Sequence, residues 1–299
     1  MPQLREIKRH IESVSKTRTI TEAMQRIAFI KMGRARQRAE AVRPYSRALL
    51  AILSRLMAVH PDYRPPLMRR QKGGGVGLVV ITTDKGLCGA LNLRLLQLCL
   101  GQLQSWQQAG RPVSVTVVGA RGLATLRRAG ARIVAEAAGV AGELLESEEL
   151  LGALSVPLHQ FIDGEIEQLY VATNRFDNML VHQPMLERLL PVDPALIAPP
   201  EGEPVDPLDG VDYLYEPEPQ QAIDLLLVRY IESTMYRAVA ENVACEHSAR
   251  MTAMKAATDN ATRVIDELTM QYNKTRQETI TREIIEIIAG ADALKGGGR

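Results

Sequence analysis

Aromatic residues are scarce: Phe, Trp and Tyr make up only 4% of the 299 residues, so a folded core has to be built from aliphatic side chains. Cysteine is also scarce. Cys88, Cys99 and Cys245 are odd in number and scattered, which excludes a disulfide framework or a cysteine-based metal site and fits a reducing cytoplasm. His10, His60, His159, His182 and His247 show no metal-ligand spacing of the H-E-x-x-H kind. The formal net charge is only +1, which argues against non-specific nucleic-acid binding by the chain as a whole. No apolar run approaches the roughly 20 residues of a membrane helix. No signal-peptide core is expected either, because Met1 to Glu12 already reads as an amphipathic helix containing acid.

The small net charge hides a strong polarity along the chain. Residues 1–72 hold 17 Lys or Arg and 5 Asp or Glu, a net +12. Residues 191–220 hold 8 acidic residues and no basic one, while residues 221–299 are nearly balanced, with 10 basic and 11 acidic. Such polarity suits docking onto charged partners.

Hydrophobic periodicity predicts two long helices at opposite ends of the chain. In residues 3–59 the positions Met24, Ala28, Lys31, Ala35, Arg38, Val42, Tyr45, Leu49, Ile52, Leu56 and Val59 alternate spacings of 4 and 3, with Leu4, Ile7, Ile11 and Val14 upstream in the same rhythm. Pro44 should kink this helix or remove one of its hydrogen bonds, and Pro61, Pro65 and Pro66 end it. The second helix should cover 221–294, where there is no proline and Gly290 is the only glycine. Ala261, Ile265, Leu268 and Tyr272 mark its seam, resumed after a one-residue shift by Ile280, Ile284, Ile287, Ala291 and Leu294. At ~1.5 Å per residue the two span roughly 85 and 110 Å. Rods of that length are expected to bury their seams against each other as an antiparallel coiled coil, with the longer protruding by roughly 25 Å.

Between them, residues 73–190 alternate strand and helix signals. Val76–Ile81, Val113–Val118, Ile133–Ala135, Leu169–Ala172 and Met179–Val181 read as strands. Leu91–Leu103, Arg121–Arg128 and Glu146–Phe161 read as helices. This order predicts a Rossmann-like α/β domain, a parallel sheet with helices on its faces. Residues 191–220 carry eight of the sixteen prolines and read as an acidic linker. The expected division is therefore 1–60, a coiled-coil helix; 73–190, the α/β domain; 191–220, the linker; and 221–299, the second coiled-coil helix.

Motifs with chemical promise are weak. Gly73-Gly74-Gly75-Val76-Gly77 precedes a strand, whereas a dinucleotide fingerprint follows one. Thr83 to Gly89 follows the first strand but lacks the P-loop spacing, and Cys88 has no sequence-adjacent base, so a tight strand-to-helix turn is the expected role. Glu283 and Glu286 fall beside an isoleucine stripe and read as a solvated face. No catalytic residue, cofactor or metal site is expected. The remaining alternatives are an enzyme with its site in the α/β domain, a scaffold whose α/β domain binds a nucleotide, and a coiled coil binding nucleic acid through its basic first helix.

The C-terminal residues carry a resemblance. Glu246-His247-Ser248-Ala249-Arg250-Met251-Thr252-Ala253-Met254-Lys255, Ala257-Thr258-Asp259-Asn260-Ala261, Tyr272-Asn273-Lys274-Thr275-Arg276-Gln277 and Ile280 to Ala291 resemble the gamma subunit of F-type ATP synthases. Asp212 to Pro217, Gly86-Leu87-Cys88-Gly89, Ile20 to Met24 and Arg43-Pro44-Tyr45 resemble other motifs of that family. The resemblance implies a central rotor shaft, itself non-catalytic, inside a hexamer of alpha and beta subunits, with the epsilon subunit and the membrane c-ring at its foot. It implies no nucleic-acid partner. It also implies a peripheral place on the cytoplasmic face of a bacterial plasma membrane, reached only through the complex. By matched position, Met24, Arg250, Arg276, Gln277 and Thr281 would meet the alpha and beta subunits, and Asp212, Tyr213, Tyr215 and Glu216 the c-ring and epsilon.

Overall fold

The computed structural model describes residues 2–71, 74–139, 148–197, 216 and 218–296. Its contacts group the chain into two compact units, one formed by Met1–Ala28 with Met251–Arg299 and the other by Phe29–Arg250. Two helices contribute to both: α1, Pro2–Val59, and α6, Pro219–Gly296.

The first unit is a pair of helical segments. Ile7, Thr21 and Ala28 of α1 and Met254 and Ala261 of α6 are buried, and half-buried Ile265, Leu268, Tyr272, Thr275 and Thr279 continue the α6 seam. The Thr21 and Thr258 hydroxyls, 2.7 Å apart, join the two segments. From Ile280 to Ala289 every side chain is exposed. The expected seam through Ile280, Ile284 and Ile287 is therefore corrected: these three are 43%, 51% and 71% exposed. The side chains of Ala291 and Leu294 lie outside the described residues. The reason is partner length. Counting back from Thr21 at equal rise, the start of α1 falls level with about residue 277 of α6, and among the described residues no segment packs on α6 beyond it.

The second unit is layered. Its five strands are β1, Val76–Ile81; β2, Val113–Val118; β3, Ile133–Ala137; β4, Gln168–Phe176; and β5, His182–Leu190. They lie in the order β3-β2-β1-β4-β5, parallel except for β5. Alternation along β1 sends Val76, Leu78 and Val80 to one face and Val79 and Ile81 to the other. On the first face lie α2, Leu91–Gln108, and α3, Ala120–Arg128, through Leu95, Cys99, Leu103, Trp106 and Leu126. On the second lie α4, Glu148–Ile162, through Leu154, Leu158 and Phe161, and then Leu53 and Leu56 of α1 with Ile223, Leu227, Ile231 and Met235 of α6.

Within this unit α1 and α6 run antiparallel: Ala35 packs with Val243 and Ala244, Ser46 bonds Ser233, and Tyr63, just past α1, bonds Asp224. The α1 seam differs from the expected one in a systematic way. Ala35, Leu49 and Leu56 are buried as expected. The intervening positions are Met32, Ala39, Ser46 and Leu53, whereas Lys31, Arg38, Tyr45, Ile52 and Val59 are exposed. Either choice keeps a heptad, and polar Ser46 against apolar Tyr45 favours the wrong one by composition. Ser46 is acceptable inside because its hydroxyl lies 2.6 Å from that of Ser233. Replacing Ser46 alone by alanine should destabilise by about 1–2 kcal/mol, since Ser233 then loses its partner, while the Ser46→Ala, Ser233→Ala double variant should recover most of that in urea unfolding. The helix runs unbroken through exposed Pro44.

Two strand expectations change. Met179–Val181 is not a strand. Asn178 Oδ1 accepts from the amides of Leu180 and Val181, making a turn whose tip, Leu180, is 76% exposed. The strand that follows, β5, contains Pro184, which an edge position tolerates because no inner neighbour needs its missing N–H. Its antiparallel pairing with β4 makes the sheet mixed instead of wholly parallel. The start of the expected linker is packed: Val192 and Ile197 are buried and a short helix α5 spans Pro194–Ile197. Residues 198–215 and Pro217 lie outside the described residues.

Candidate functional site

In open α/β sheets, ligands bind at the carboxyl ends of the strands where the strand order reverses. Here the reversal falls between β1 and β4. The protein's own helix α6 occupies that place. Asn174, buried in β4, donates from Nδ2 to Asn242 Oδ1 at 2.9 Å, and the Cys245 thiol donates to the Asn174 carbonyl at 3.3 Å. Thr173 Oγ1 donates to the Ala238 carbonyl at 3.2 Å, and Ser248 Oγ to the Met179 carbonyl at 2.7 Å. At the end of β1 the Thr83–Gly89 turn is closed by Asn92, whose side chain bonds both the amide and the hydroxyl of Thr83. Arg250 then reaches from α6 to the Gly86 carbonyl at 3.0 Å.

The start of α3, the helix after β2, is capped by a side chain. Asp84 Oδ1 accepts from the amides of Ala120 at 3.0 Å and Gly139 at 2.8 Å. A fixed carboxylate at a helix N-terminus repels the anion that the helix dipole would otherwise attract. Among the described residues no group of His, Cys, Asp or Glu is placed to hold a metal ion. Burial pushes the Cys88 thiol up, the Cys99 thiol up to about 12, and the Cys245 thiol up as well, so none is a ready thiolate.

The densest electrostatic feature is the last part of α6 in this unit. Arg250 Nη2 lies 2.5 Å from Glu246 Oε1, both side chains being almost wholly buried, and Arg250 Nη1 lies 3.3 Å from His247 Nδ1. Burial raises the Glu246 carboxyl, opposed by its bonds to Arg250. His247 falls to about 4, first through burial and then through the charges of Arg250 and Lys31. Since the folded histidine binds its proton below the ordinary 6.5, the unfolded chain protonates first on acidification. Stability should be full above pH 6.5 and fall towards pH 4, by about 3 kcal/mol if His247 acted alone. Glu246 works in the opposite sense, because its raised value favours the folded state as pH falls. Urea unfolding of His247→Gln from pH 7 to 4 should show the acid limb flattened relative to the unsubstituted protein.

The site residues expected from the sequence fall into three groups. In the first unit Met24 is half-buried and Arg276, Gln277 and Thr281 are exposed on α6. In the second unit Arg250 is buried in the cluster just described, and Glu216 is an exposed bend residue before α6. Asp212, Tyr213 and Tyr215 lie outside the described residues. Glu246 stood in the resemblance motif without an assigned role, and sequence reasoning missed Asn174 and Asn242. Their signal was only that polar residues stand in otherwise apolar surroundings, which does not reveal a pairing between distant segments.

The model of the ATP synthase family matches residues 3–294. The chain is 42% identical over 291 residues to the ATP synthase gamma chain of Thiobacillus denitrificans, covering 97% of this chain and 99% of that one. It is 43% identical over 303 residues to the gamma chain of Bordetella avium, covering 98% and 100%. The chain belongs to the ATP synthase gamma chain family. Among solved structures it resembles the rotor of Euglena gracilis mitochondrial ATP synthase, with a TM-score of 0.62 at 17% identity, covering 93% of this chain and 99% of that one. The central stalk and c-ring structure of the Tetrahymena thermophila enzyme gives a TM-score of 0.54 at 20% identity, covering 80% and 99%. At these identities the likeness concerns the fold alone. In this chain the signature residues Ser248 and Arg250 bond the turns that follow β4 and β1, while Glu246 and His247 bond Arg250.

Proposed function

We propose that this gamma chain is the central rotor shaft of an F-type ATP synthase, coupling ion-driven rotation of a membrane c-ring to conformational cycling of catalytic beta subunits. The observation that carries the reading is the full-length family match to a chain whose terminal helices pair antiparallel beside a small α/β domain. The chain is a non-catalytic part of that complex, with nucleotide chemistry in other subunits. The crevice filled by α6 supports this, because a nucleotide there would have to displace the helix. Among the described residues no helix is long and apolar enough to cross a membrane. We place the chain peripherally, on the cytoplasmic face of a bacterial plasma membrane, through its complex.

Of the five residues expected to meet the alpha and beta hexamer, Met24, Arg276, Gln277 and Thr281 are assigned to that contact, whereas Arg250, 8% exposed and bonded to Glu246 and the Gly86 carbonyl, is assigned to holding α6 against the turn after β1. Asp212, Tyr213, Tyr215 and Glu216 are assigned to the c-ring and epsilon subunit. Exposed Ile284, Ile285, Ile287 and Ile288, against which no described segment packs, suit an apolar collar supplied by other subunits. Co-expression with alpha and beta subunits, followed by mass measurement of the intact complex, should find one copy of this chain per hexamer. A chain that stays alone when both are present refutes the assignment. The Arg276→Ala, Gln277→Ala variant should leave the isolated chain within about 0.5 kcal/mol of the original, since both side chains are exposed. ATP hydrolysis by the assembled complex should fall several-fold, measured as phosphate release.

A further inference from the structure

Away from the crevice, α1 and α6 of the second unit enclose a recess of about 260 Å³ lined by Arg43, Ser46, Arg47 and Leu50 of α1 and Tyr230, Thr234 and Arg237 of α6. Three guanidinium groups border it and no carboxylate does. Among the described residues, the neighbouring basic side chains are neutralised locally: Arg36 pairs with Glu40 at 2.8 Å and Arg229 with Glu232 at 2.8 Å. Arg43, Arg47 and Arg237 enter no such pair there. Glu241, one turn along α6 from Arg237, faces an adjoining recess together with Arg36, Glu40 and Arg43.

Three like charges around one concave site repel one another, and each guanidinium presents donors in a planar fork that matches an oxyanion. The hydroxyls define the remaining chemistry. Thr234 Oγ1 gives its proton to the Tyr230 carbonyl at 2.9 Å, and Ser46 shares its hydrogen bond with Ser233. The donors left for a ligand are therefore the guanidinium groups and the Tyr230 hydroxyl, with Leu50 as an apolar wall. A neutral or cationic ligand gains little from such a set.

We propose that this recess binds a phosphate-type oxyanion, gripped by Arg43, Arg47 and Arg237. Such a site is independent of the rotor role. Free pyrophosphate and a phospholipid headgroup share this chemistry and differ in source.

The full-length chain should be titrated with pyrophosphate by calorimetry at physiological salt, and separately tested for sedimentation with vesicles of phosphatidylglycerol in phosphatidylcholine. Arg47→Gln and Arg237→Gln should each weaken the interaction about tenfold. Arg36→Gln, whose side chain is committed to Glu40, should leave it unchanged. Arg237→Lys, which keeps the charge and loses the fork, should fall between. Pyrophosphate binding with this pattern identifies a soluble phosphate as the source, and vesicle binding alone with the same pattern identifies a headgroup. Circular dichroism melting confirms that each variant is folded. No binding of either probe, or binding equal in Arg36→Gln and Arg237→Gln, overturns the proposal. So does a loss confined to assembly with acidic partner subunits, which would make the recess a protein contact.

Discussion

Arg250→Ala should lower the stability of the isolated chain by about 3–5 kcal/mol, the range for breaking a buried ion pair from one side. The arginine is 8% exposed and its partner Glu246 is 6% exposed, so the carboxylate left behind cannot turn to water. Truncation also removes the only described link from α6 to the Gly86 carbonyl, at 3.0 Å. The Thr83–Gly89 turn would lose its tie while keeping its bonds to Asn92. Two features separate this cause from simple loss of packing. The deficit relative to the unsubstituted chain should narrow as pH falls, because Glu246, already raised by burial, protonates and ceases to be a buried charge. The Glu246→Gln, Arg250→Met double variant should recover most of the loss, since neither member then carries a charge. Urea unfolding across pH 5–8 reads both. A deficit independent of pH and not relieved in the double variant would show that packing, not the stranded carboxylate, is responsible.

Gly119→Ala should be at least as damaging, at about 3–5 kcal/mol, or should prevent folding. The backbone here has φ +97°, a region a side-chain-bearing residue occupies at about 1–3 kcal/mol. A Cβ would also stand 2.5 Å from the Thr82 carbonyl oxygen and 2.7 Å from its carbonyl carbon, which is backbone and cannot swing aside. Overpacking of that kind adds about 1–3 kcal/mol. The close approach serves the fold directly: Thr82 Oγ1 donates to the Val118 carbonyl and accepts from the Gly122 amide, joining β1 to the start of α3. Gly110→Ala is the control. Its φ is +71°, but a Cβ there meets nothing within 4 Å, so only the conformational term should appear. Thermal melting followed by circular dichroism would compare the two. Equal losses would mean that the contact with Thr82 carries no weight.

Much of this architecture is legible in the chain itself, because local rules dominate where segments are long or strongly patterned. The uninterrupted stretch from residue 221, free of proline, is realised as α6, and the paired valine-rich runs are realised as β1 and β2 with the expected bounds. Glycine, proline and apolar period together leave few other conformations for these segments. The family was equally legible, since the Glu246–Lys255 and Tyr272–Ala291 motifs need no structure to be compared.

Three decisions belonged to tertiary structure. The choice of Met32, Ala39, Ser46 and Leu53 over Lys31, Arg38, Tyr45 and Ile52 depends on which side the partner helix lies, and both series satisfy a heptad. The fate of the isoleucines from Ile280 onward depends on where α1 begins, a fact held at the other end of the chain. The filling of the strand-end crevice depends on hydrogen bonds between residues some seventy positions apart, Asn174 with Asn242 and Cys245 with the Asn174 carbonyl. Periodicity tells a segment which face is apolar. Only the packed fold says what that face meets, because burial is a property of two surfaces and a sequence pattern describes one.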